Sequence, residues 1–273
     1  MQTMSKNFYK QIEEYYDSDA DDFDARYWQN PVLQRIRQDF REEVKRFTFK
    51  NILEIGYGTG LDLVHFGKTH PEACISGIDI SSGMMAESNR KIKNEKLENV
   101  SATIGSVEDI PGLFPNEQFD MIYVFFGALN TEEDLEKAAA ILHKSTKPGG
   151  VLVLTFVNKF YMTGMVLEMM KFRFRKAFSR LKKIWGGYSP SQYLPSRCYS
   201  PKEIKEAFSR FILRKRKGYS IIHPAWYYHN LNRKIRPLSR WLWKADRLLN
   251  KTPLWSIGEY TLFVFQKPDD ISQ

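Results

Sequence analysis

Cysteine is scarce: only Cys74 and Cys198 occur in 273 residues, one inside an apolar run and one in a polar loop. Two thiols so placed make neither a disulfide framework nor a metal-ligand set, so no metal site is expected and a reducing cytoplasm is the expected setting. Long apolar runs are also missing. The strongest, Val151 to Val157 (VLVLTFV), is strand-length against the roughly 18 residues that a spanning helix needs. The first residues, MQTMSKNFYKQIEEYYDSDADD, have no apolar core behind a basic start, so a secretory signal is not expected and the mature protein is expected to begin here. Internal repeats and long low-complexity tracts are lacking too. What remains, with 42% hydrophobic residues, suits one globular domain with an elaborated cap.

Charge is present in plenty but divided unevenly. Residues 1–150 hold 17 Lys and Arg against 25 Asp and Glu, whereas residues 151–273 hold 24 against 7. The +17 balance of the second part suits either an anionic partner or a basic face kept for solubility.

Five short apolar segments, NILEIG, ACISGIDI, NVSATIGS, FDMIYVFF and GGVLVLTFV, alternate with helical patterns, as in a doubly wound parallel α/β sheet. Helices are expected at about 60–69, 82–96 and 131–145, the last capped by Thr131. Ser200, Pro201 and Glu203 form a capping box that starts a helix running towards Leu213. Strands are expected at Gly218 to His223 and Glu259 to Gln266, with a basic helix at about 231–250 between them. Two helices separated by the acidic DSDADDFD are expected within residues 7–48.

Gly56, Gly58 and Gly60 follow the first strand in LEIGYGTG, where absent side chains allow a tight turn and close approach of backbone to a ligand. A dinucleotide fingerprint would need a third glycine where this chain has Leu61, so the spacing is GxGxG rather than GxGxxG. Asp79 closes the second strand, placed to accept both hydroxyls of a ribose or to cap the helix that follows. Glu54 near the end of the first strand is costly to bury without a cationic or hydrogen-bonding partner, which a ligand ammonium would supply.

In order and spacing, LEIGYGTG, GIDISSGMM, GSVEDIP, FDMIYVFFGALN and KPGGVLVLTF resemble the class I S-adenosylmethionine-dependent methyltransferases of small-molecule type. The resemblance covers residues 50–157 and is weaker beyond. It implies an α/β, Rossmann-like sheet of seven strands, mostly parallel with the last antiparallel, helices on both faces and a helical lid insert. It also implies S-adenosylmethionine as the cofactor. Glu54, Gly56, Tyr57, Gly58 and Gly60 would face its methionyl part, Asp79 its ribose, and Ile80 and Met84 its adenine. The family's adenine-contacting Asp is Ser106 here, which leaves Ser106, Val107 and Glu108 to serve the ring. Phe125 and Phe126 match positions near the sulfonium, or are plain core. Tyr16, Phe23 and Tyr27 lie in a stretch resembling a lid.

A general base is helpful to such a reaction but not obligatory, because positioning of an activated methyl supplies most of the rate. Tyr16, Tyr27 and His223 are candidates, His223 being equally a structural imidazole. The [DN]PP[YF] motif of amino-group methylating enzymes is absent, and Cys198 lies outside the expected core, where loop packing is its role.

Four segments are expected: a helical lid at 1–48, the cofactor core at 49–157, a helical cap at 158–200, and a completion of the sheet at 201–273. In the cap, Met170, Phe174, Phe178, Leu181 and Trp185 follow helical spacing beside seven cations. Residues 231–251 repeat that composition around Trp241 and Trp243. Such helices can be a packed lid, lie on an anionic membrane surface, or bind nucleic acid. The expected activity is methyl transfer to a small organic acceptor, lipid-like or anionic. An RNA methyltransferase and a non-catalytic cofactor-binding partner are the alternatives.

Overall fold

The computed structural model describes residues 2–188 and 192–269. Seven strands form one sheet: β1 (Asn51–Ile55), β2 (Cys74–Asp79), β3 (Val100–Ile104), β4 (Phe119–Val124), β5 (Thr146–Val157), β6 (Ile212–Tyr219) and β7 (Tyr260–Gln266). Their spatial order is β3-β2-β1-β4-β5-β7-β6, and β7 alone runs antiparallel to its neighbours. This is the expected methyltransferase sheet.

The central strands read as continuous apolar runs because both faces are covered. Ile52, Met121, Tyr123 and Val153 pack on one face with the helix side chains Ile36, Phe40 and Phe66. Leu53, Ile122, Val124 and Leu154 pack on the other with Leu135, Leu142 and Phe208. Each such side chain contributes about 1.5–3 kcal/mol by leaving water.

Three N-terminal helices form where two were expected: α1 (Gln2–Asp17), α2 (Ala20–Trp28) and α3 (Pro31–Val44). The acidic stretch is not a linker. Asp21 and Asp22 occupy the first turn of α2, where the helix dipole favours negative charge, and Asn30 caps α3 through the amides of Val32 and Leu33. Two further helices, α4 (Leu61–Thr69) and α5 (Ser82–Asn94), flank the first strands as expected.

Four boundaries differ from expectation. The helix before β5 spans Leu135–Ser145 and is capped by Asp134 rather than Thr131, which ends a 3-10 turn. The helix at Pro201 stops at Ala207, and the alternating ILRKRKGY that follows is β6, six residues ahead of the expected strand start. That alternation marks an edge strand defended by cations. Lys215 pairs with Glu43 at 2.7 Å and Lys217 with Asp39. The basic helix is two pieces, His229–Lys234 and Ser239–Leu249, because Pro237 cannot continue the first.

The cap is less helical than its spacing suggests. It contains Met162–Met169, the single turn Phe174–Ala177 and the 3-10 turn Ser179–Leu181, and its residues 189–191 lie outside those described. Phe172 at φ +58° interrupts the run, so Met170 to Trp185 never share one helix. Cys198 is also placed differently, fully buried in the core, where burial pushes its thiol up to about 12.

Candidate active site

Strand order reverses between β1 and β4, and a crevice opens at the carboxyl ends of strands at such a point. A cavity of about 440 Å³ occupies it. Glu54 pairs in register with Tyr123, so both side chains leave the same face and the Tyr123 hydroxyl donates to Glu54 Oε2 at 2.7 Å. Burial, then the nearby Asp62 carboxylate, hold the Glu54 carboxyl well above the usual carboxylate range. A buried acid in that state favours a cation beside it.

Gly56 at φ +70° packs so tightly that a Cβ would lie 2.4 Å from that of Ala128. Tyr57 and Gly58 also line the cavity, and the Gly58 amide donates to Asp79 Oδ2 at 2.8 Å. Gly60 is not in the cavity wall; a Cβ there would strike Ser88 of α5 at 2.3 Å, so it lets two helices close together.

Asp79 stands in the wall with its second oxygen accepting from the Ser81 amide at 3.0 Å. Burial raises its carboxyl, against the backbone bonds that lower it. Ile80, Met84, Ser106 and Val107 continue the wall. Glu108 does not, being paired with Lys137 at 2.9 Å, and the Ser106 hydroxyl is occupied by Asp109 at 2.7 Å.

Glu132, which sequence reasoning missed, is the acid that reaches this part of the wall. Tyr9 donates to it at 2.9 Å, and burial pushes its carboxyl up to about 7.

At the other end stand Tyr16, Phe23, Tyr27, Phe125 and Phe126. Phe126 adopts φ +54° and the next residue, Gly127, φ +81°. A bulky residue held left-handed costs of order 1–3 kcal/mol and needs surrounding support. Asn130 supplies it, its amide accepting from the Val157 backbone at 2.9 Å and donating to the Arg197 carbonyl at 2.6 Å.

Arg37 was also missed, since nothing in the α3 sequence separates it from a surface cation. It is buried and bonded to Asp62, with its guanidinium 4.6 Å from the Tyr27 ring and 4.8 Å from the Phe126 ring. Its Nε has no protein partner. A carboxylate and an unsatisfied cationic donor thus border one cavity, an arrangement suited to a zwitterion.

The wall beyond Phe126 is aromatic, with Trp185, Tyr188, Trp226, Tyr227 and Tyr260. Tyr188 donates to Glu259 at 2.6 Å and lies 3.1 Å from the Tyr260 hydroxyl. Glu259, fully buried, pairs with Arg180 at 2.8 Å. His223 is absent from this wall. Its ring stacks on Trp243 and spends both nitrogens on Pro224 and Ser239, so its role is structural.

Two acids fasten the N-terminal helices over the crevice. Asp17 accepts from Ser81 Oγ at 2.5 Å and the Gly83 amide at 2.9 Å. Asp24 accepts from Thr59 at 2.5 Å and pairs with Lys91 at 2.5 Å.

Comparison with known proteins agrees with this geometry. A methyltransferase domain model matches residues 52–150. A demethylmenaquinone methyltransferase of Bacteroides fragilis is 32% identical over 196 residues, 68% of this chain and 76% of that one. An uncharacterised protein of Methanocaldococcus jannaschii is 27% identical over 240 residues, covering 86% and 84% of the two chains. The crystal structure of an S-adenosylmethionine-dependent methyltransferase from Thermotoga maritima shares the fold at a TM-score of 0.57 and 16% identity, over 94% of this chain and 99% of that one. The chain belongs to the class I S-adenosylmethionine-dependent methyltransferases. It is an enzyme of methyl transfer that uses S-adenosylmethionine, and no helix among the described residues is long and apolar enough to cross a membrane.

Proposed function

We propose that the methyl acceptor is a small, planar aromatic molecule of the quinol class, received in the cavity beyond Phe126. The aromatic wall there carries the reading: five rings surround the space, and rings favour stacked or edge-on contact with a planar guest. Among the described residues, Arg26 and Arg37 are the only basic side chains in the lining, which suits a compact guest better than a polyanionic strand. The name of the Bacteroides relative supports the same class.

On the donor side, Glu54 receives the ammonium and Arg37 the carboxylate of the methionyl group. Asp79 takes the ribose hydroxyls. Ile80, Met84 and Val107 flank the adenine, and Glu132 accepts from its amino group in place of the acid absent at Ser106. Residues 1–48 and 158–200 act together as the lid.

Bound S-adenosylmethionine supplies a methyl group already activated on its sulfonium. The chain's task is to align the acceptor and keep water out, worth up to about 7–11 kcal/mol of the barrier. The proton released from the acceptor hydroxyl leaves to bulk water with the product, and Tyr260, which accepts from Trp226 Nε1 at 3.2 Å, acts as a positioning group for that hydroxyl. Tyr16 and Tyr27 line the chamber as positioning groups.

The test is transfer of labelled methyl from S-adenosylmethionine to a panel of reduced naphthoquinols and benzoquinols beside total RNA. Label in quinol is the expected result. Label in RNA alone, or tight cofactor binding with no transfer to any acceptor, overturns the reading.

A further inference from the structure

The helix Met162–Met169 buries Gly164, Met165 and Glu168, while Met162 and Val166, one turn apart, stand exposed on another face. The chain then turns outward: Met170 is 72% exposed and Phe172 84%. Phe174, Phe178, Leu181 and Ile184 continue the exposed apolar series. Between them Lys171, Arg173, Arg175, Lys176, Lys182 and Lys183 are all exposed. The only acid from 160 to 184 is Glu168, which is buried and shared among Lys171 at 3.5 Å, Lys176 at 3.9 Å and Arg173 at 4.0 Å, so a single negative charge meets these six cations. This face presents hydrocarbon ringed by positive charge to solvent.

Contiguous exposed apolar surface on a soluble chain marks an interaction site. We propose that residues 160–184 dock on the surface of an anionic phospholipid bilayer, apolar tips entering the headgroup boundary and cations meeting the lipid phosphates. Charge selects this occupant. A second copy would bring two strongly cationic faces together. A nucleic acid would satisfy the cations and could stack on Phe172, Phe174 and Phe178, but it would leave the aliphatic Met162, Val166, Met170, Leu181 and Ile184 facing a polyanion, whereas hydrocarbon takes rings and aliphatic side chains alike. Amphipathic surfaces bind anionic membranes through both components at once.

The C-terminal elements extend the pattern beside this face. Thr163 donates to the Ile221 carbonyl at 2.5 Å and Tyr228 contacts Gly164. Leu238, just ahead of the helix Ser239–Leu249, and Trp241 and Leu248 within it are exposed, while Asp246 turns inward to the amides of Ile221 and Ile222. Continuity with the site adds a purpose, because Trp185 and Tyr188, at the end of the same stretch, wall the cavity. Docking through this face is independent of the acceptor's identity.

The test is sedimentation of the full chain with vesicles of phosphatidylcholine alone and of phosphatidylcholine with phosphatidylglycerol, at low and high salt. Two variants join it: Met170→Ser with Phe172→Ser and Phe174→Ser, and Arg175→Gln with Lys182→Gln and Lys183→Gln. Calorimetric binding of S-adenosylmethionine confirms that each is folded. The parent is expected to bind the anionic vesicles at least tenfold more tightly than the neutral ones, with salt weakening the difference, and each variant to lose at least tenfold. Equal, negligible binding to both vesicles at low salt overturns the proposal, as does parent-like binding by either folded variant. Failure to bind vesicles together with tight binding of an RNA oligonucleotide, or with a dimer abolished by the serine substitutions, assigns the face to another occupant and overturns it equally.

Discussion

The Tyr123 hydroxyl donates to Glu54 Oε2 at 2.7 Å, binding a central strand's phenol to its neighbour's carboxylate. Burial and the neighbouring Asp62 carboxylate leave Glu54 reluctant to ionise, against the Tyr123 bond, which favours the carboxylate. Its folded pKa lies above the unfolded value, so the penalty is absent at pH below the unfolded pKa and develops as pH rises towards the folded one. Glu54→Gln is therefore expected to raise the melting temperature of the cofactor-free protein more at pH 8 than at pH 5. The same change is expected to weaken S-adenosylmethionine binding by about tenfold or more, the scale of one charged hydrogen bond. Melting curves at the two pH values and calorimetry measure both; a stabilised variant with parental affinity would refute the role given to Glu54.

Arg37 tests the other end of the zwitterion. Arg37→Lys keeps the charge and loses the planar fork. The KM for S-adenosylmethionine is expected to rise roughly tenfold while kcat at saturation changes less, because binding common to ground and transition states is lost. Steady-state kinetics separate the two, and a fall in kcat alone would count against the assignment.

Glu132, with its carboxyl near 7, predicts a pH dependence. The carboxylate accepts from an amino group and the neutral acid accepts less well, so affinity follows ionisation. Cofactor affinity is expected to rise up to about tenfold between pH 6 and pH 8 in the parent. In Glu132→Gln it should be flat. Matching profiles in the two proteins would remove Glu132 from the adenine site.

The lid latch gives a kinetic prediction. Asp24→Ala removes the partner of both Thr59 and Lys91. S-adenosylhomocysteine should then dissociate several-fold faster in stopped flow, with about 1 kcal/mol or so of stability lost. An unchanged off-rate would mean that α2 does not gate the crevice.

Much of the fold was legible because periodicity and turn chemistry agreed on it. The five apolar segments and the GxGxG turn each point to a parallel strand and its crossover. The edge strand was misplaced because ILRKRKGY looks polar until its pairing with β7 is known. Site legibility followed sequence distance. Glu54 and Asp79 sit at strand ends, where pattern locates them, and both reach the cavity. Arg37 and Glu132 arrive from a helix and a loop whose docking no local rule specifies. His223 shows the opposite error: a histidine near a strand end proved to be a packed ring, with its hydrogen bonds spent on the loop and helix around it.

The cap has a closed stem. Asn158 and Tyr199 bridge each other directly, the Lys159 amide donates to the Tyr199 carbonyl at 3.1 Å, and Asn130 holds Arg197 beside them. Forty residues therefore depart from the sheet and return at nearly one point. Lengthening a loop whose ends are already held costs little, growing only with the logarithm of its length. The cap is a cartridge. Outside the ties that Arg180 and Tyr188 make to Glu259, its length and surface can change without shifting the register of β5 against β7, which leaves the strands that carry the methyl-donor crevice as they are.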